Sequence, residues 1–208
     1  MTTLKEDESG KRYHHGDLRN TLVQLGTEML AESGEAGLSL RKLAQRAGVS
    51  HNAPYQHFAD KNALLAAIAE EGFRMLGTTI AEVQSDPTLN DTETRLVAAG
   101  RAYVNFATQH PSHLQVMFGP LSSSNYPSLA EASLTTFAQL TTLVTEFQAR
   151  QTATPNTPTP EDAALMVWVV VHGLSTILIA EKIPGALGNP RTADQLAEQF
   201  CKLVLRAL

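Results

Sequence analysis

The residues best placed to do chemistry in this chain lie between positions 44 and 61. Ala44, Gly48 and Val49 supply, in order, a small residue where two helices can touch, a residue tolerant of a left-handed turn, and an apolar plug behind it. That spacing is the one a helix-turn-helix needs, whose second helix enters the major groove of DNA, though a plain helical hairpin can carry it too. Ser50 is expected to cap this second helix, over residues 50–58, and to turn its free N–H groups and positive dipole end toward a phosphate. At the helix start, Asn52 can meet an adenine edge through two hydrogen bonds, and His51 can donate to guanine N7 or O6. Each also has a plainer reading, in which it only caps or solvates the helix start. Ala53 shares that first turn. Lys61, just beyond, offers a charge-assisted contact to phosphate.

Other chemistries find little support. His14 and His15 are adjacent, whereas a chelating helix face needs i and i+4 spacing, and no cysteine or carboxylate cluster completes a site beside them. Neither a metal nor a cofactor is expected. No nucleophile–base pair and no Gly-rich phosphate loop stands out, so catalysis is not expected either. Two rival classes stay in view: a helical enzyme, and an interaction module without DNA binding.

Almost every segment that must position these residues reads as helix. Leu18, Leu22, Leu25 and Met29 recur at spacings of four, three and four, with Asp17 suited to the start and Gly34 to the end. Ser39 caps a short helix with Leu40, Leu43, Ala44 and Ala47 inward. From Asp60 a long helix carries Leu64, Leu65, Ile68, Phe73, Leu76 and Ile80. Helices follow over residues 92–108, around Leu114 to Phe118, over 128–151, 161–182 and 192–208, with a stiff Thr/Pro-rich linker at 152–160. The expected architecture is all-α, about nine helices, with a three-helix DNA-binding head at 1–60 and a helical ligand-binding and dimerisation body at 61–208.

Composition agrees with a globular protein: 208 residues, 43% apolar and 18% charged. The net charge of −5 is unevenly spread, because residues 62–208 hold eight Lys/Arg against thirteen Asp/Glu, while residues 11–61 hold seven against five. A mildly basic head is therefore compatible with an acidic whole. Cys201 is the single cysteine, which excludes an internal disulfide and fits a reducing cytoplasm. The first residues lack the apolar core of a secretory signal. Residues 163–180 carry no charge and approach the length of a membrane span, but they contain His172, Gly173, Ser175 and Thr176. Burial on all sides within a protein or dimer accounts for the same pattern.

The run LSLRKLAQRAGVSHNAPYQHFADKNALL closely resembles the DNA-binding domain of the TetR family of bacterial regulators. The matching marks are Ala44, Ala47-Gly48-Val49-Ser50, the Tyr55-x-His57-Phe58 cluster, and Lys61 ahead of Leu64-Leu65. Tyr13-His14-His15-Gly16-Asp17-Leu18-Arg19 resembles the opening of one branch, and Trp168-x-x-x-His172-Gly173 resembles the Trp-His-Gly signature of that branch's C-terminal domain. Two positions depart from the pattern: Asn52 stands where the family often has Gly, and Pro54 where an unbranched apolar or aromatic residue is common. Base preferences therefore do not transfer.

The resemblance implies phosphate contacts from Tyr55 and His57, with Phe58 in the core. Packing in the head's core is the other reading of Tyr55. It also places phosphates near Ser39, Arg41 and Lys42, which otherwise form a solvated helix start. Lys11, Arg12 and Tyr13 read either as an arm along the DNA or as a frayed tail. In the body, the resemblance implies a small-molecule pocket, with Phe73, Tyr103, Phe106, Met117, Phe118, Phe137 and Trp168 as candidate walls beside Leu76, while each of these taken singly also reads as ordinary core. His172 is either its polar anchor or a hydrogen-bonded core histidine. The helices at 161–182 and 192–208 are expected to pair with a second copy as a four-helix bundle. The expected partners are thus a double-stranded DNA operator, a second copy and an unidentified small-molecule effector, in the cytoplasm and away from membrane.

Overall fold

The computed structural model describes residues 18–181 and 191–208, and among them every regular element is helical. The Lys11–Tyr13 arm, the His14–His15 pair, the Asp17 helix start and the loop and helix end at 182–190 lie outside the described residues. The chain divides into two compact units, one up to Leu64 and one from Leu65 onward.

In the first unit, α1 (Leu18–Gly37) buries Leu22, Val23, Met29 and Leu30 and is interrupted at Gly34, whose φ is 62°. Helix α2 (Leu40–Ala47) begins at Ser39, whose hydroxyl accepts the Lys42 N–H at 3.3 Å. It stops at Gly48, with φ 68° and ψ 26°. There the Gly48 N–H donates to the Gln45 carbonyl at 3.2 Å and the Val49 N–H to the Ala44 carbonyl at 3.0 Å. This pair of bonds closes the helix end and needs a left-handed residue between them. Leu43 and Ala44 are fully buried, and α2 packs against both α1 and the segment that follows.

That segment corrects one expectation. Residues 50–58 do not form an α-helix capped by Ser50, but a hydrogen-bonded turn leading into a 3-10 helix, Pro54–Gln56, that no side chain caps. Pro54 explains it. An α-helical bond to the Ser50 carbonyl would come from residue 54, which has no N–H. The carbonyl instead accepts from Ala53 at 3.0 Å, and Gln56 and His57 continue the tighter pattern at 3.2 and 3.0 Å. Pro54 and Phe58 are buried, anchoring the segment from one side.

Helix α3 (Lys61–Ser85) starts where Asp60 accepts the Ala63 N–H at 2.8 Å, and most of it belongs to the second unit. There follow α4 (Thr92–Gln109), α5 (Pro111–Met117), α6 (Pro127–Gln148), α7 (Pro160–Ile179) and α8 (Ala193–Leu205). Helix α4 is the centre, packed against α6, α7 and α8. Its approach to α8 is close at Gly100, where an added Cβ would lie 2.2 Å from the Cys201 sulfur. Arg101 closes the same seam with two bonds to Asp194, at 2.7 and 2.6 Å. Helix α7 is long and apolar enough to cross a membrane. Ala163, Ala164, Val167, Val171, Leu174 and Ser175 are buried against its neighbours, while Met166, Val169 and Ile177 are exposed. Burial on all sides is therefore not reached within one chain.

Gly48→Ala tests the turn. No atom lies within 4 Å of the added Cβ, so the cost is the left-handed backbone alone. Urea unfolding should give a stability lower by about 1 kcal/mol. An unchanged midpoint would mean that the left-handed turn is not as described.

Candidate nucleic-acid interface and candidate ligand cavity

The turn at Gly48 and the buried pair Pro54 and Phe58 leave the other side chains of the following segment outward. Ser50, His51, Asn52 and His57 are exposed, Ala53 is half-buried, and Tyr55 is 56% exposed. For Tyr55, the exposure excludes the core-packing reading. Arg41 and Lys42 are exposed at the start of α2, and the Lys42 ammonium donates to the Gly37 carbonyl at 3.2 Å. Ser39 already uses an oxygen lone pair as the helix cap, which leaves its hydroxyl hydrogen for another acceptor.

Charge in this unit is partly spent internally. Arg46 donates to Glu28 at 3.1 Å and to Glu32 at 2.5 and 2.7 Å, tying α2 to successive turns of α1. The guanidinium holds the Glu32 carboxyl below its ordinary range. Lys61 donates to the Glu35 carboxylate at 3.0 Å, with both side chains partly exposed. Arg19 lies over the Phe58 ring at 5.7 Å. Arg41 makes no ion pair among the described residues. Glu28, Glu32 and Glu35 thus offset Arg46 and Lys61 locally, leaving the head's net charge unchanged. Among the described residues, Lys61 is the one candidate phosphate contact that already has an ionic partner.

In the second unit, α3, α4, α6 and α7 surround a cavity of about 310 Å³. Phe73, Tyr103, Phe118, Phe137 and Trp168 line it, and so do Leu76, Ile80 and Leu140. The rings form a connected cluster: Phe118 lies 5.5 Å from both Phe73 and Trp168, and Phe137 lies 6.3 Å from Trp168. Leu134 and Leu165, also in the wall, are exposed and mark the mouth. Phe106 and Met117 are not among the lining side chains. Phe106 is buried with its ring 5.1 Å from His110, and Met117 is buried against Gly72.

His172 is not a lining residue either. Its Nδ1 shares a 2.8 Å hydrogen bond with the hydroxyl of Tyr103, which is, and its ring stands edge-on to Phe118 at 4.6 Å. Burial raises the Tyr103 phenol well above its ordinary value, the Trp168 indole opposing it, and burial lowers His172. Both groups are therefore neutral near pH 7. Ile80 and Leu140 were not among the candidate walls. Ile80 lies one and two turns beyond Leu76 and Phe73 on the same helix face, a signal available in the spacing. Leu140 has the analogous relation to Phe137 on α6, at a spacing of three.

Two family descriptions match this chain: "Tetracyclin repressor-like, C-terminal domain" over residues 96–204, and "Bacterial regulatory proteins, tetR family" over residues 22–68. A solved protein of unknown function from Rhodococcus sp. RHA1 shares 32% identity, with a TM-score of 0.80 across 96% of this chain and 99% of that one. The HTH-type transcriptional regulator Rv1816 of Mycobacterium tuberculosis is 26% identical over 98 residues, 47% of this chain and 42% of that protein. The tetracycline repressor protein class A from transposon 1721 of Escherichia coli is 49% identical over 51 residues, 24% of each chain. The chain thus spans less than half the length of the curated relatives it matches.

The lowered His172 gives a pH expectation. A histidine harder to protonate when folded contributes stability above its unfolded value of 6.5, and that contribution is lost as pH falls toward the lower folded value. His110, lowered by burial and then by His113, acts in the same direction. Thermal melting should therefore decline below pH 6.5, and His172→Gln should make the decline shallower. An unchanged slope would assign the decline to other groups.

Proposed function

The chain belongs to the TetR family of bacterial regulatory proteins, and on that premise we propose that it is a sequence-specific DNA-binding transcriptional repressor. In this reading it acts without catalysis, as a cytoplasmic homodimer released from a palindromic operator by a small molecule. The observation that carries it is the exposed row His51, Asn52, Tyr55 and His57 on a segment fixed from behind by Pro54 and Phe58. This row falls within the stretch that matches the family's N-terminal domain.

Residues 1–60 form the DNA-binding domain in this proposal, and residues 61–208 the ligand-binding and dimerisation body. His51 and Asn52, with Ala53 beside them, meet base edges. Ser39, Arg41, Lys42, Ser50, Tyr55, His57 and Lys61 hold phosphates and so fix the register. Lys61 keeps Glu35 as a second partner, since an ammonium has three donors. The exposed apolar residues of α7 and α8, among them Met166, Val169 and Leu203, meet their counterparts in a second copy, completing a four-helix bundle. Gly173 supports close approach there, because no atom of the described residues lies within 4 Å of where its Cβ would be. Two recognition segments would then face successive major grooves, roughly 34–36 Å apart. A ligand in the cavity shifts the dimer toward a state that no longer matches this spacing, by no more than its differential affinity for the two states. We also assign the chain to the branch with the Trp-His-Gly body signature. The contact of Trp168 with His172, rings 5.6 Å apart, supports this assignment.

Binding selection from random duplexes, followed by mobility shift, tests the DNA reading. Asn52→Ala should relax preference at one base position, at a cost of about 1–3 kcal/mol on the preferred site. Lys61→Ala should weaken all duplexes alike and flatten the salt slope by about 1. No shift with any duplex at low salt would leave an interaction module as the surviving reading. For the dimer, Val169→Glu should yield monomers in sedimentation at micromolar concentration and lower operator affinity. A wild-type monomer under those conditions would defeat the bundle.

A further inference from the structure

The chemistry of the cavity wall is one-sided. Among the described residues, no side chain lining it carries a formal charge, and most are aromatic or aliphatic. Its aliphatic hydroxyls are already committed to backbone. Ser133 donates to the Ala130 carbonyl at 2.9 Å, and Thr136 to the carbonyls of Phe73 and Ala132 at 3.0 and 2.9 Å. Tyr103 differs. Its partner is a histidine nitrogen, which can accept or donate according to its tautomer, so the phenol can present either a donor or a lone pair to a guest. An anion or cation in this space would lose its hydration and meet no countercharge.

We propose that this cavity selects an uncharged, aromatic-rich small molecule with a single hydrogen-bonding group, which enters between Leu134 and Leu165 and meets the Tyr103 hydroxyl. The inference rests on the body being the effector site and specifies what that site takes. Flat faces suit the offset and edge-on ring contacts that Phe73, Phe118, Phe137 and Trp168 already make with one another. The volume lies at the lower end of small-molecule pockets, which favours two or three fused or linked rings over a long chain. Neutrality is the sharper requirement, because a missing countercharge cannot be supplied by rotating an apolar side chain.

Two fluorescent probes that differ by one charge test this: N-phenyl-1-naphthylamine, which is neutral, and its sulfonate, 8-anilinonaphthalene-1-sulfonate. Titrated into the full chain, the neutral probe should bind once per chain at micromolar concentration, and the sulfonate at least tenfold more weakly. Tyr103→Phe should weaken the neutral probe several-fold, and Leu140→Phe, which fills the wall, by more. Leu134→Lys, at a position exposed enough to tolerate it, should shift the preference toward the sulfonate, and this variant decides the matter should Leu140→Phe fold poorly. Equal affinity for both probes would overturn the neutrality requirement. Tyr103→Phe without effect would overturn the polar anchor. Binding lost in Val169→Glu but unchanged in Leu140→Phe would place the probe on the exposed face of α7 and overturn the site. Absence of neutral-probe binding would overturn the proposal outright. Since no DNA is present, these failures are separable from a failure of operator binding.

Discussion

Each helix leaves its first backbone N–H groups without partners inside the helix, and a chain built only of helices meets that cost at every start. Here it is met by side chains at fixed places. Ser39, Asp60, Asp91, Thr159 and Thr192 each accept an N–H three residues on, at 2.8–3.3 Å. At Thr192 the bond is reciprocal, with Gln195 accepting the Thr192 N–H. Where a proline stands at the first helical position, in α5, α6 and α7, one donor is simply missing. These boundaries set helix lengths, and the lengths decide which faces meet. The cavity and the exposed row of the head both follow from where the helices are made to stop.

Much of this was readable from the sequence for the same reason. Caps and prolines act locally, so Ser39, Gly48, Asp60 and Thr192 announce their roles within four residues of chain, and apolar spacing marks Leu22, Met29, Leu43 and Ala44 for burial. Less readable features depend on distant partners. Nothing near Arg46 or Lys61 shows that they meet carboxylates on α1, 14 to 26 residues away. Residue type likewise does not separate Phe106 and Met117, which fill space elsewhere in the body, from Phe118 and Trp168, which border a void. Pro54 belongs to a third kind. Its missing N–H could be seen, and its consequence, a 3-10 helix instead of an α-helix, was a backbone matter that tolerance rules for proline at helix starts did not distinguish.

Helix α7 serves three surroundings at once. Ala163, Ala164, Val167 and Val171 are buried, Leu165 and Trp168 border the cavity, and Met166, Val169 and Ile177 face outward. A helix with apolar residues all round gives almost no periodic signal, which is why composition alone could not separate a buried helix from a membrane span. Leu165 reaches the cavity mouth from the same turn in which Met166 faces out, so the wall and the outward face share backbone. A helix arranged in this way cannot change one of its faces without moving the others.

The α4–α8 seam has a consequence of another kind. Cys201 is the chain's single thiol, 2% exposed, pressed against Gly100 and pushed by burial to about 11. Such a sulfur is shielded from alkylating reagents for as long as the seam stays shut. With a reagent fast enough to outpace reclosing, the rate at which it is labelled therefore measures how often these two helices part. The molecule thus carries its own stopwatch for the opening of its body, at a position where no probe need be introduced.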